Sequence, residues 1–212
     1  MRFVEPSFEI LDILDGCDLI RRIEFAGRTC YKSEAIISEN SAEAFVRKII
    51  MNGHESVLEH EKITVKVICD RGVSHEIVRH RIASYSQEST RYCNYANDKF
   101  GSELTFILPL FWKDKKHMDE MNAWKGAMES AERCYLSLIS MGAKAEEARS
   151  VLPNSLKTEI VITMNLREWR HFFRLRTSIH AHPQMRQIAM ELLKEFKRRV
   201  PVVFEDIPCD TI

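Results

Sequence analysis

Leu156-Lys157-Thr158-Glu159-Ile160-Val161-Ile162-Thr163-Met164-Asn165-Leu166-Arg167-Glu168-Trp169-Arg170 decides the fold class. Leu156, Thr158, Ile160, Ile162 and Met164 alternate with Lys157, Glu159, Val161 and Thr163, the period of a strand. Asn165 then caps a helix through about Leu175, rich in Arg167, Arg170, Arg174 and Arg176. A strand that runs straight into a basic helix points to mixed architecture.

Working outward, a second alternating run, Ile63, Val65, Val67 and Cys69, reads as a strand. Leu104–Leu108 is a short strand, and residues 2–14 are extended. Helices are expected over Cys17–Ala26, from an N-cap at Ser41 through Met51, over Val73–Arg79, Met118–Met141, Lys144–Val151 and Gln184–Arg199. Arg28-Thr29-Cys30-Tyr31 reads as a polar loop, Arg71-Gly72 as a turn, and Asn52-Gly53 and Gly142 as helix stops. Trp124, Ala127, Met128, Ala131, Cys134, Tyr135 and Leu138 should share one helix face. Met185, Ile188, Ala189, Leu192, Leu193 and Phe196 should form a core stripe. No repeat or linker interrupts the chain. The expectation is one α+β domain over residues 1–212, with a central, mostly antiparallel sheet flanked by helices.

Composition narrows the functional classes. The 212 residues are 45% apolar and 29% charged, with 31 basic and 31 acidic side chains. Zero net charge argues against bulk binding to nucleic acid or membrane. The six cysteines form no CxxC pair, and most lie in apolar segments, so buried free thiols are expected. No leader pattern or bilayer-length apolar run is present, and a reducing, cytoplasmic setting follows as the default.

Against that neutral background, Arg79–Tyr92 crowds Arg79, His80, Arg81 and Arg91 among Ser84, Ser86, Gln87 and Ser89. Hydroxyls and amides around guanidiniums suit phosphate. A nucleic-acid module stacking bases on Tyr85, Tyr92 and Tyr95 is a rival, weakened by the charge balance. A zinc hydrolase built on His54, Glu55, Glu59 and His60 fails on spacing, because the two histidines are six residues apart and not in HExxH register; no metal site is expected.

Arg79-His80-Arg81 followed by Ser89 resembles the signature of the flavin-dependent thymidylate synthases, the ThyX family. Gly53-His54-Glu55-Ser56 with Glu59-His60 precedes it. Ala148-Arg149 with Leu152-Pro153, and Asn165-Leu166-Arg167, Phe172, Leu175-Arg176 and His180-Ala181, follow in the family's order. The resemblance covers most of the chain.

It implies a ThyX-like fold and methylation of dUMP to dTMP, with methylenetetrahydrofolate as carbon donor. FAD reduced by NADPH would carry the hydride, in a homotetramer with active sites at subunit interfaces. Arg176 would be catalytic, activating uracil near N3; a guanidinium stays cationic and donates in its plane. The dUMP set implied is Glu76, Ile77, Val78, Arg79, Gln87, Glu88, Ser89, Thr90, Arg91, Arg149 and Arg176. The FAD set is Ser56, Arg79, His80, Arg81, Gln87, Asn165, Arg167 and His171, with His54 and His180 on the folate and flavin side. No cysteine nucleophile is implied, although Cys93 lies nearest the motif. The chain has no GxGxxG loop, so a dinucleotide must be held otherwise. Ser86, Gln87 and His171 depart from the family pattern, which commonly has Asn, Glu and Asn there.

Overall fold

The computed structural model describes residues 1–209. Six strands form: β1 (Arg2–Val4), β2 (Ser7–Ile10), β3 (Lys62–Asp70), β4 (Ala83–Gln87), β5 (Thr105–Ile107) and β6 (Lys157–Asn165). Among the described residues the eight α-helices are α1 (Gly16–Thr29), α2 (Ser41–Met51), α3 (Arg71–Ile77), α4 (Met118–Ser140), α5 (Ala145–Ala148), α6 (Leu166–Arg176), α7 (Pro183–Arg199) and α8 (Pro201–Phe204). The α+β expectation therefore holds. One sheet orders its strands β2-β3-β6-β4, and β1 pairs with β5 in parallel.

Strands β3 and β6 are antiparallel. At one end Leu166 N–H donates to Glu61 O, and at the other Arg71 N–H donates to Leu156 O at 3.1 Å. Alternate residues of β6 are buried, as the alternation demands. Asn165 leads directly into α6 because its side chain accepts Glu168 N–H at 2.8 Å, satisfying a donor that the first helical turn leaves open.

The chain divides into two compact units: residues 1–7, 67–79 and 86–161, and residues 8–66, 80–85 and 162 onward. The first unit packs Tyr95, Leu104, Phe106, Trp124, Met128, Tyr135 and Leu156 into its core. The second is built on aromatic rings of α6, α7 and α8. Phe173 meets Phe196 at 5.1 Å, and Phe196 meets Phe204 at 5.2 Å. Trp169 joins this cluster and donates Nε1–H to Ile63 O at 2.9 Å.

Several boundaries differ from expectation for local reasons. Helix α1 continues through Thr29 because Arg28 pairs with the buried Glu24 one turn earlier at 2.7 Å. Asn40, not Ser41, occupies the N-cap of α2; the Ser41 hydroxyl instead donates to Glu24 at 2.8 Å and accepts Ser38 N–H. Arg71 and Gly72 open α3, since Asp70 accepts Val73 N–H at 2.7 Å and starts the helix there. A side chain at Gly72 would meet that capping oxygen at 3.0 Å. The helix expected over Lys144–Val151 tightens into a 3₁₀ turn at Arg149–Val151. Of the cysteines, only Cys69 is fully buried; Cys17, Cys30 and Cys134 are exposed. Cys134 and Ala127 thus leave the expected α4 core face, which Trp124, Met128 and Tyr135 hold. Among the described residues no helix is long and apolar enough to cross a membrane.

Candidate active site

Within the first unit, the segment after β4 is tightly anchored. Glu88 N–H donates to Glu159 O at 2.8 Å, and the Glu88 carboxylate accepts Tyr95 O–H at 2.8 Å and Lys157 Nζ at 3.0 Å. Lys157 also reaches Glu159. Burial works against the Lys157 ammonium, but its two carboxylate partners win and hold its pKa above the ordinary value. Burial, with Glu88 beside it, pushes the Tyr95 phenol well up, so it remains a donor.

This anchor holds a turn. Tyr92 and Cys93 N–H donate to Ser89 O, and Ser89 Oγ accepts Arg91 N–H at 3.3 Å. Arg91 extends to Glu146 at 3.8 Å, three residues before the exposed Arg149. Ser89 and Arg91 thus share one turn, Arg149 lies on the segment that Arg91 reaches through Glu146, and Thr90 is buried.

Other members of the nucleotide set are placed differently. Glu76 is half-buried and Val78 and Arg79 are exposed. Ile77 is fully buried, so it offers a ligand only its backbone. The Glu88 side chain belongs to the anchor. Gln87 donates its amide to Ser74 Oγ at 2.9 Å and Thr158 Oγ1 at 3.2 Å. Ser86 is exposed on β4.

Within the second unit, a cavity of about 1020 Å³ opens beside α1, α2 and the turn that follows them. His54, Ser56 and Arg167 line it, together with Arg28, Lys48, Tyr31 and Phe45, and no carboxylate does. A second cavity of about 490 Å³ is lined by Asn165, Arg167, His171, Glu55, Glu59, Ile82, Glu168 and Arg174. Arg167 lines both, held by Glu59 at 2.6 Å. Ser56, Asn165, Arg167 and His171 of the expected flavin set thus share these walls. Arg81 is exposed, and His180, exposed in the turn after α6, lines neither cavity.

His80 is withdrawn into the protein at 4% exposure, against the Phe172 ring at 4.9 Å and His171 at 5.6 Å. Arg176 Nε donates to its Nε2 at 3.1 Å, and its Nδ1 lies 3.2 Å from Glu168 Oε1. Tyr85 O–H donates to the His80 carbonyl. Burial, then the charges of Arg176 and His171, lowers the His80 pKa from 6.5 to about 4. Burial raises Glu168, with His171 opposing, and pushes the Tyr85 phenol up to about 12. The ligand atoms of His80, Glu168 and His171 lie within 4.8 Å of one another, a spacing a metal ion accepts. The Arg176 cation bonded to His80 opposes a second cation there, so the cluster reads as a hydrogen-bonded chain.

Sequence reasoning missed Arg28 and Lys48, assigned to a loop and a plain helix face. It also missed Glu168, whose only signal was its place three residues after a capping Asn. Nothing in the sequence ties Tyr95 or Lys157 to Glu88.

The model of the thymidylate synthase complementing protein family, Thy1, matches residues 13–202. The flavin-dependent thymidylate synthase of Pyrococcus furiosus is 39% identical over 178 residues, spanning 84% of this chain and 71% of its own. That of Geobacter sulfurreducens is 38% identical over 191 residues, spanning 87% and 80%. That of Mycobacterium tuberculosis is 34% identical over 208 residues, spanning 90% and 80%. Among solved structures, a UMP/dUMP methylase from Streptomyces cacaoi bound with 5-Br UMP shares the fold, with a TM-score of 0.79 at 23% identity over 97% of this chain and 95% of that one. The chain belongs to the Thy1 family, that of the flavin-dependent thymidylate synthases.

Proposed function

We propose that this chain methylates dUMP to dTMP, with methylenetetrahydrofolate as carbon donor, FAD as bound cofactor and NADPH as electron source. The observation that carries the reading is the acid-free cavity of about 1020 Å³. Its volume lies at the upper end for ligand pockets, and its mixture of cations and rings suits a flavin dinucleotide. Arg28, Lys48 and Arg167 would meet the pyrophosphate, Tyr31 and Phe45 offer ring faces, and Ser56 offers a hydroxyl. When bound, the flavin supplies hydride chemistry that no side chain can.

The remaining roles fall to the chain's own residues. Ser89, Arg91 and Arg149 would hold the nucleotide phosphate. Arg176 would donate to the uracil ring near N3 and stabilise the negative charge that polarisation of the ring places on its oxygens. That activates C5 without a thiolate. Residues 1–212 would act as one functional domain in a cytoplasmic homotetramer, with active sites at subunit interfaces.

Two measurements test the reading. Purified protein should show flavin absorbance that bleaches with NADPH, and should form dTMP once dUMP and methylenetetrahydrofolate are added. A colourless protein that binds no FAD would overturn it. Arg176→Ala should keep the flavin and lose dTMP formation; full turnover would remove Arg176 from the mechanism.

A further inference from the structure

The first and last turns of α6 carry two side chains that cannot meet directly. Glu168 and Arg176 are eight residues apart, about 12 Å of helical rise. His80 spans the gap. It comes from the segment after α3 and packs its ring on Phe172, which lies between them on the helix.

The chemistry of the three groups orders their protons. A guanidinium has donors only, so Arg176 Nε–H must donate to His80 Nε2. That nitrogen must therefore carry its lone pair, and a neutral imidazole must hold its one proton on Nδ1. There it faces Glu168 Oε1 at 3.2 Å, in a site where both His80 and Glu168 are buried. The hydrogen bonds run one way, Arg176 to His80 to Glu168. Without an acceptor at Nδ1 the imidazole is free to adopt its other tautomer, which would set N–H against N–H at Arg176.

We propose that Glu168, acting through His80, is a positioning residue for Arg176: it selects the His80 tautomer that holds the guanidinium plane in place. The depressed pKa of His80 agrees, since the ring stays neutral across the working range. The inference rests on the reading that Arg176 acts on the nucleotide ring. It adds that the Arg-His-Arg motif contributes its histidine to the arginine of α6 as well as to any flavin site.

The test has two arms that fail separately. Nitrogen-15 NMR of histidine-labelled protein should show His80 neutral, protonated at Nδ1 and bare at Nε2, from pH 6 to 8. An Nε2–H tautomer overturns the proposal whether or not the protein makes dTMP. In steady-state assays at saturating FAD, Glu168→Leu should lower kcat about 10- to 100-fold, the scale of a misplaced catalytic group. Glu168→Gln, which keeps an acceptor oxygen, should recover most of the rate. Wild-type kcat in a folded Glu168→Leu protein overturns the proposal. Absence of dTMP from the wild type refutes the proposed function instead, and leaves the NMR result to decide the relay.

Discussion

Tyr95→Phe isolates one hydroxyl in the anchor that holds the Ser89 turn. Tyr95 is 6% exposed, and its ring packs on Phe100 at 5.3 Å and Tyr135 at 5.9 Å, contacts that phenylalanine keeps. Only the 2.8 Å bond to Glu88 Oε1 is lost. A hydrogen bond to a charged group contributes roughly 1.5–3 kcal/mol. Lys157 still satisfies Glu88 Oε2, and the Glu88 side chain is 12% exposed, so water partly repairs Oε1. The lower part of that range applies, about 1.5–2 kcal/mol. For a chain of this size the thermal midpoint should fall by roughly 3–8 °C. Because the turn carries Ser89 and Arg91, the KM for dUMP should rise while the KM for the folate stays put. Thermal unfolding and steady-state kinetics on the same preparation check both. A midpoint within about 1 °C of wild type, with an unchanged KM for dUMP, would refute the anchoring argument.

Arg170 is fully buried, forked onto Asp206 at 2.7 Å and bonded to Glu55 and the Val203 carbonyl. Arg170→Leu leaves Glu55 and Asp206 with Arg174 as their remaining cation, at 3.1 and 3.6 Å, and removes the donor to the Val203 carbonyl, so it should cost about 3 kcal/mol in urea unfolding, the low end for a broken buried pair; Arg170→Lys should restore little because an ammonium cannot reproduce the fork. His80 binds its proton less well folded than unfolded, so the unfolded chain takes up more protons between pH 6.5 and about 4. Stability should therefore fall as pH drops through that window, by up to about 3 kcal/mol. Glu168, whose folded pKa is raised, offsets part of the loss at the acid end. The slope should largely vanish in His80→Gln, measured as the urea midpoint against pH. Gln87→Glu places a carboxylate where the amide donated, and the Ser74 hydroxyl is already committed to Arg71 O at 2.9 Å. The variant should lose about 1 kcal/mol of stability without tighter binding of dUMP; much tighter binding in a titration would sink this account.

Local pattern was enough for most of the elements, though not for β4 or α8, and the family came from the resemblance of the motifs. The alternation of 156–164, the cap at Asn165 and the apolar stripe of α7 are short-range features, written in the order of neighbouring residues. Arg79-His80-Arg81 with Ser89 likewise marks its chemistry by spacing along the chain. What each side chain touches is not local. Nothing near Glu88 announces Tyr95 and Lys157, which reach it only once β4, the following loop and β6 have folded. Arg28 and Lys48 became a cavity wall only when α1 and α2 took their places beside the turn of Glu55–His60. His80 is buried against α6, where a bonded neutral imidazole is cheaper than an unpaired one. The order of residues named the chemistry-bearing side chains and placed most of them on their elements, Arg28 being an exception. Which of them are buried and which side chains they bond came only with the folded chain, because hydrogen-bond partners and burial depend on approach through space.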